Sequence, residues 1–147
     1  MDQLDRQLLL LLQNNAETSH AELASAVGLS VTGIHKRLKR LKQDGLIKKI
    51  VAVLDRSKLK LDLMCFLKVT FKNNLHAPNL PSLEEAVKTL PEVLECYTLT
   101  GTDDAILKIA VCDHVALREF LLRFSQSQNI IDRVETCIVL EEVKEGM

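Results

Sequence analysis

Apolar residues follow two different rhythms along this chain, and the change between them divides it. The first rhythm is helical. Leu4, Leu8, Leu11 and Leu12 recur at i, i+4, i+7 and i+8, which lines one stripe of a helix ended by Asn14 and Asn15. Ser19, followed three residues later by Glu22, is a capping box in which hydroxyl and carboxylate each satisfy an orphan backbone N–H. It predicts a second helix with Leu23 and Val27 inward, stopped by Gly28 because the left-handed position after a helix favours glycine. Ser30 caps a third helix with Ile34, Leu38 and Leu41 on its inner face, ended by Gly45. Two helices separated by the short Gly28-Leu29-Ser30 turn form a helix-turn-helix. From Leu46 to Leu54 the chain becomes a β-rich run, IKKIVAVL, and the polar DRSKLKLD, Asp55 to Asp62, reads as a linker.

Beyond it the rhythm is mostly that of strands. In MCFLKVTFK (64–72), Cys65, Leu67, Val69 and Phe71 share one face, and Phe66, Lys68 and Thr70 the other. LEEAVKTL (83–90) has helical spacing between Pro81 and Pro91. VLECYTLT (93–100), a GTDD turn and AILKIAVC (105–112) form a hairpin with a four-residue loop. Asp113 caps a helix through Phe124 with Val115, Leu117, Leu121, Leu122 and Phe124 apolar, and VETCIVLEEV (134–143) closes the domain as a strand. The order β-α-β-β-α-β is that of a ferredoxin-like fold, and the fold class is α+β. In that fold both helices cover one sheet face. The other, carrying apolar residues such as Phe66, is open unless a partner covers it, which points to a dimer.

Composition changes this picture in one respect. The chain of 147 residues is nearly neutral, with 19 Lys+Arg against 20 Asp+Glu, yet its halves differ in sign. Residues 1–60 hold 11 basic and 6 acidic residues (+5), residues 61–147 hold 8 and 14 (−6), and together these give the formal net charge of −1. Such asymmetry predicts a basic module that meets a polyanion, residues 1–60, joined to an acidic module with another task, residues 61–147. The apolar runs are too short to span a bilayer and the N-terminus lacks the pattern of a signal peptide, so a cytoplasmic protein without membrane contact is expected. Cys65, Cys96, Cys112 and Cys137 are widely spaced and read as packed thiols; neither a metal site nor a cofactor is expected.

The positive charge concentrates on the third helix, where five of the seven residues from Lys36 to Lys42 are basic. With Ile34, Leu38 and Leu41 inward, Thr32, Lys36, Lys39 and Arg40 fall outward and Gly33 lies beside them. Arg37 sits at the margin, where it would also suit an intramolecular pair with an acid, and His35 occupies a flank. A helix fits the DNA major groove: lysine and arginine neutralise phosphates, while hydroxyl, imidazole and guanidinium groups discriminate bases. Ser30, Thr32, Gly33, His35, Lys36, Arg37, Lys39 and Arg40 are therefore the candidate DNA-binding residues. A solvated charged face is the plain alternative.

LDRQLLLLLQNNA (4–16), AELASAVGLSVTGIHKRLKRLKQDGLI (21–47), LECYTLTGTDDAILKI (94–109) and TCIVLEEVK (136–144), in that order, resemble the Lrp/AsnC family of transcription regulators. The IHKR and YTLTG stretches lean toward its AsnC side. The resemblance implies a DNA-binding domain joined to a βαββαβ domain that dimerises through its sheet, with assembly to tetramers or octamers. It also implies an amino-acid effector between dimers. On this chain the effector loop would be Thr98, Thr100, Gly101, Thr102, Asp103 and Asp104, faced by a neighbouring subunit's segment near Gln126 to Ile130, with Gln128 as its contact. The loop chemistry suits such a ligand: Gly101 permits a positive φ that exposes N–H groups to a carboxylate, Asp104 accepts from an ammonium, and threonine hydroxyls orient it. An ordinary polar turn has the same composition. The chain departs from the family pattern at Val31 (often Pro), at Gly101-Thr102-Asp103-Asp104-Ala105 (commonly Gly-Asp-Phe-Asp-Tyr) and at Asn129-Ile130 (usually Pro-Gly). These departures bear on the effector rather than on DNA.

The expected function is that of a sequence-specific regulator whose DNA binding or assembly responds to an amino-acid-like effector. One alternative is a protein of the same fold without DNA binding. Another is an enzyme similar to sirohaem decarboxylases, whose chemistry needs cations in the second domain, where this chain is acidic. No GxSxG, HExxH or phosphate-binding loop occurs.

Overall fold

The computed structural model describes residues 1–72, 80–127 and 131–144, with the side chains of residues 80–82 and 127 outside the description. The chain divides into two units, the first built on Met1–Val53 and the second on Leu54–Val143.

In the first unit, α1 (Gln3–Asn14), α2 (His20–Val27) and α3 (Val31–Gln43) enclose a small aliphatic core. Leu8, Leu23, Ala24, Ile34, Leu38 and Leu41 are buried there, and Leu9, Leu11, Leu12, Val27, Leu29 and Ile47 pack around them. The caps are those the sequence predicts. Ser19 and Glu22 complete their capping box, and Ser30 Oγ accepts the Gly33 N–H at 3.1 Å. Gly28 ends α2 at φ +69°, where a side chain would be strained. α1 has its own capping box, Asp2 with Asp5, which the leucine pattern did not announce.

In the second unit, β1 (Leu63–Phe71), β2 (Val93–Thr98), β3 (Ala105–Val111) and β4 (Ile131–Ile138) form one antiparallel sheet in the order β2-β3-β1-β4. α4 (Leu80–Lys88) and α5 (His114–Ser127) complete the βαββαβ order expected of a ferredoxin-like fold. Alternation along the strands sends Cys65, Leu67, Val69, Phe71, Leu107 and Ile109 to the helix-covered core, where Phe120 and Phe124 of α5 stack with ring centroids 5.7 Å apart. The α5 pattern had passed over Phe120. Val115 and Leu122, read as apolar positions of α5, are exposed instead.

The opposite face of the sheet lacks a covering layer among the described residues. Met64 and Phe66 of β1, Ile106 of β3 and the exposed Tyr97 of β2 lie on it, as the register requires. Between them run ion pairs from Lys68 to Glu135 at 3.4 Å and from Lys108 to Glu95 at 3.6 Å.

Three expectations need correction. The β-rich run 46–54 forms no strand, because a strand needs a hydrogen-bonding edge and none of the described residues supplies one. Ile50, Val51, Val53 and Leu54 are left exposed. The segment Asp55–Asp62, read as a linker, is a hydrogen-bonded turn: Asp55 O accepts from Leu59 N, Arg56 O from Leu61 N and Ser57 O from Lys60 N. The last strand lies at Ile131–Ile138 rather than 134–143. Its pairing partner β1 starts at Leu63, and Val139 N to Met64 O is the last rung, so Leu140 and Val143 run on into solvent. No described helix is long and apolar enough to cross a membrane, and no group of three or more His, Cys, Asp or Glu among the described residues is arranged to hold a metal ion.

Candidate nucleic-acid interface and effector loop

The basic helix α3 is anchored by its apolar side and organised by its polar one. Ile34, Leu38 and Leu41 are buried, which leaves Thr32, His35, Lys36 and Lys39 exposed on the rest of the surface. Ser30 caps the helix, and a Cβ added at Gly33 would meet Ser30 Oγ at 3.3 Å, so the absent side chain keeps the capped first turn uncrowded. His35 meets His20 of α2 edge to face, with ring centroids 5.7 Å apart, across the helix-turn-helix.

The two arginines behave differently from the lysines. Arg37 Nη1 donates to Asp2 Oδ2 at 2.6 Å and to Asp5 Oδ1 at 2.8 Å, and Arg40 Nη2 donates to Asp5 Oδ2 at 2.6 Å. Asp5 is wholly buried although it is charged. The capping-box hydrogen bonds, followed by the Arg37 guanidinium, hold both carboxyls below the usual carboxylate range, while burial opposes this for each. The same contacts raise Arg37 above its ordinary value. Arg37 therefore belongs to the packing of α1 on α3, as its marginal wheel position allowed. Asp2 and Asp5 are the residues that sequence reasoning missed here; the signal was the Asp-x-x-Asp spacing at the head of α1, the same spacing as Ser19 and Glu22.

In the second unit the β2–β3 loop spans residues 99–104, longer than the four-residue turn predicted, since the last ladder pair is Thr98 with Ala105. Gly101 has φ +129°, which favours glycine, and Thr98, Thr100, Gly101 and Thr102 are exposed. Asp103 and Asp104 are half-buried. Asp103 Oδ1 lies 3.7 Å from Arg133 Nη2 of β4, a neighbour not foreseen from the sequence. Asp104 Oδ2 accepts the Phe71 N–H at 2.7 Å, and its backbone N–H donates to Val69 O at 2.9 Å. That pairing sits at the Thr70/Phe71 irregularity of the β1–β4 ladder and closes the end of β1. Gln128 lies outside the described residues.

Comparison with known proteins decides the identity of this arrangement. A winged helix-turn-helix DNA-binding profile matches residues 1–48, and the Lrp/AsnC ligand binding domain matches residues 64–147. The chain belongs to the Lrp/AsnC family of transcriptional regulators. It is 45% identical to the HTH-type transcriptional regulator Zrp of Zymomonas mobilis over 76% of this chain and 72% of Zrp. It is 34% identical to the leucine-responsive regulatory protein of Escherichia coli K12 over 99% and 88%. Among solved structures, AsnC of E. coli superposes with a TM-score of 0.87 at 33% identity, covering 100% of this chain and 97% of AsnC. A Neisseria meningitidis transcriptional regulator solved as an L-Met complex superposes at 0.91 with 29% identity, covering 99% and 93%. These relatives are transcriptional regulators, not enzymes, which sets aside the decarboxylase alternative. This Lrp/AsnC protein accordingly combines a DNA-binding helix-turn-helix with a ligand-binding domain.

Proposed function

We propose that this Lrp/AsnC protein binds specific duplex sequences through the outward face of α3 and that an amino-acid effector in the β2–β3 loop region tunes that binding or the assembly state. The observation that carries the first part is the placement of Thr32, His35, Lys36 and Lys39 on the exposed side of a capped helix whose other side is buried. Lys36 and Lys39 neutralise phosphates, and Thr32 and His35, nearer the N-terminus, reach base edges. The effector reading is supported by the Gly101 backbone and the Asp103 and Asp104 carboxylates, and by the L-Met complex of the Neisseria relative.

Domain roles follow: residues 1–60 read DNA, and residues 61–147 bind the effector and oligomerise. The open sheet face with Met64, Phe66, Ile106 and Tyr97 favours a homodimer, and dimers assemble into tetramers or octamers. A ligand held between dimers changes DNA affinity only if it binds two assembly states unequally. The test is duplex binding by fluorescence anisotropy across a salt series, with and without each of the 20 amino acids. Binding that ignores ionic strength would exclude the α3 interface, and no response to any amino acid would exclude the effector part.

A further inference from the structure

Lys36 to Lys42 carries five cations, yet not all of them face outward with their charge free. Asp2 and Asp5 bring two negative charges to Arg37 and Arg40 through three ion pairs of 2.6 to 2.8 Å. Local charge over these four side chains sums to zero, and Lys36, Lys39 and Lys42 are the cations of the helix left without an ion pair among the described residues. Asp5 is buried, and each of its oxygens is held by a different arginine. Asp2 and Asp5 also cap α1, so their positions are set by that helix independently of α3.

We propose that the Asp2 and Asp5 carboxylates are a charge mask: they offset the charge that Arg37 and the half-exposed Arg40 present to the phosphate backbone and so lower sequence-independent DNA binding by the recognition helix. Phosphate contacts supply most non-specific affinity, and each adds about 0.9 to the slope of log K against log salt. Masking two of five cations leaves discrimination to the base-edge groups Thr32 and His35. Asp2 and Asp5 are therefore positioning residues for recognition, acting through the arginines.

This inference rests on α3 being the helix that meets DNA, and the test separates the two ideas. The full-length Asp2→Asn/Asp5→Asn variant keeps an oxygen acceptor at each capping position while removing both charges. Measured on a random-sequence duplex between 50 and 300 mM KCl, its salt slope should steepen by roughly 1 to 2 per bound domain, and its affinity at 50 mM should rise roughly three- to tenfold. Adding Arg37→Gln to that variant should reverse about half of the steepening. A folded amide variant with an unchanged slope overturns the mask. If Lys36→Gln and Lys39→Gln also leave the slope unchanged, the α3 reading falls with it; if they flatten it, only the mask falls. Should the double amide variant not hold its fold in a thermal melt, Arg37→Gln in the wild-type background decides: a masked arginine adds nothing to the slope, so the slope should stay unchanged, and flattening by about 0.9 overturns the proposal.

Discussion

The Asp104 carboxylate accepts the backbone N–H of Phe71 at 2.7 Å, so the loop residue best suited to an ammonium group also closes the end of β1. Oδ2 makes this bond, and the structural role can be separated chemically from the proposed ligand-holding one. Asp104→Asn retains an acceptor for Phe71 and loses the charge; Asp104→Ala loses both. The asparagine variant should melt close to wild type yet show a smaller amino-acid-induced thermal shift. The alanine variant should be destabilised by roughly 1–2 kcal/mol in denaturant titration.

At the proposed DNA interface the two lysines carry the electrostatic prediction. Lys36→Ala with Lys39→Ala removes two exposed cations that make no ion pair among the described contacts, so the fold should be unaffected by circular dichroism. The salt slope of duplex binding should flatten by about 2. Arg40 is left in place because its bond to Asp5 would make a loss of binding ambiguous.

Asp5→Ala, by contrast, removes a buried carboxylate and leaves Arg37 and Arg40 without their shared acceptor. The helix-turn-helix unit should lose roughly 2–3 kcal/mol. Amide hydrogen exchange in α1 and α3 is the measurement, since it reports this unit separately from the sheet.

The same carboxylates set an acid limit. Their pKa values are lower folded than unfolded, so they contribute stability that is present above the ordinary carboxylate range and lost as pH falls through the lowered folded values. As far as these two groups are concerned, the unit should hold constant stability from neutral pH down to about 5 and weaken below about 4. A pH series of thermal melts should lose part of that acid dependence in the Asp2→Asn/Asp5→Asn variant.

Self-association is predicted to run through the open sheet face. Phe66 is half-buried there with no described helix above it. Phe66→Asp places a charge within the proposed contact, and analytical ultracentrifugation should show monomers with unchanged secondary structure. An unchanged dimer would move the interface elsewhere.

What was legible in the chain beforehand was whatever local chemistry dictates. Ser19, Glu22, Gly28 and Ser30 act within a few residues of themselves, so caps, turn and helix-turn-helix follow from spacing alone. The buried Ile34, Leu38 and Leu41, and the core face of β1, follow from a period of 3.6 or 2 imposed by one-sided burial.

Tertiary structure decided whatever depends on partners distant along the chain. IKKIVAVL has strand composition, but a strand exists only where another edge accepts its hydrogen bonds, and the end of β4 was set by where β1 begins. Arg37 and Lys36 are adjacent and alike in charge, yet one is bound to Asp2 and Asp5, more than thirty residues away, and the other faces outward. Charge can be counted from residues one at a time. Its availability is a property of pairs, and pairs form only when the fold brings α1 against α3.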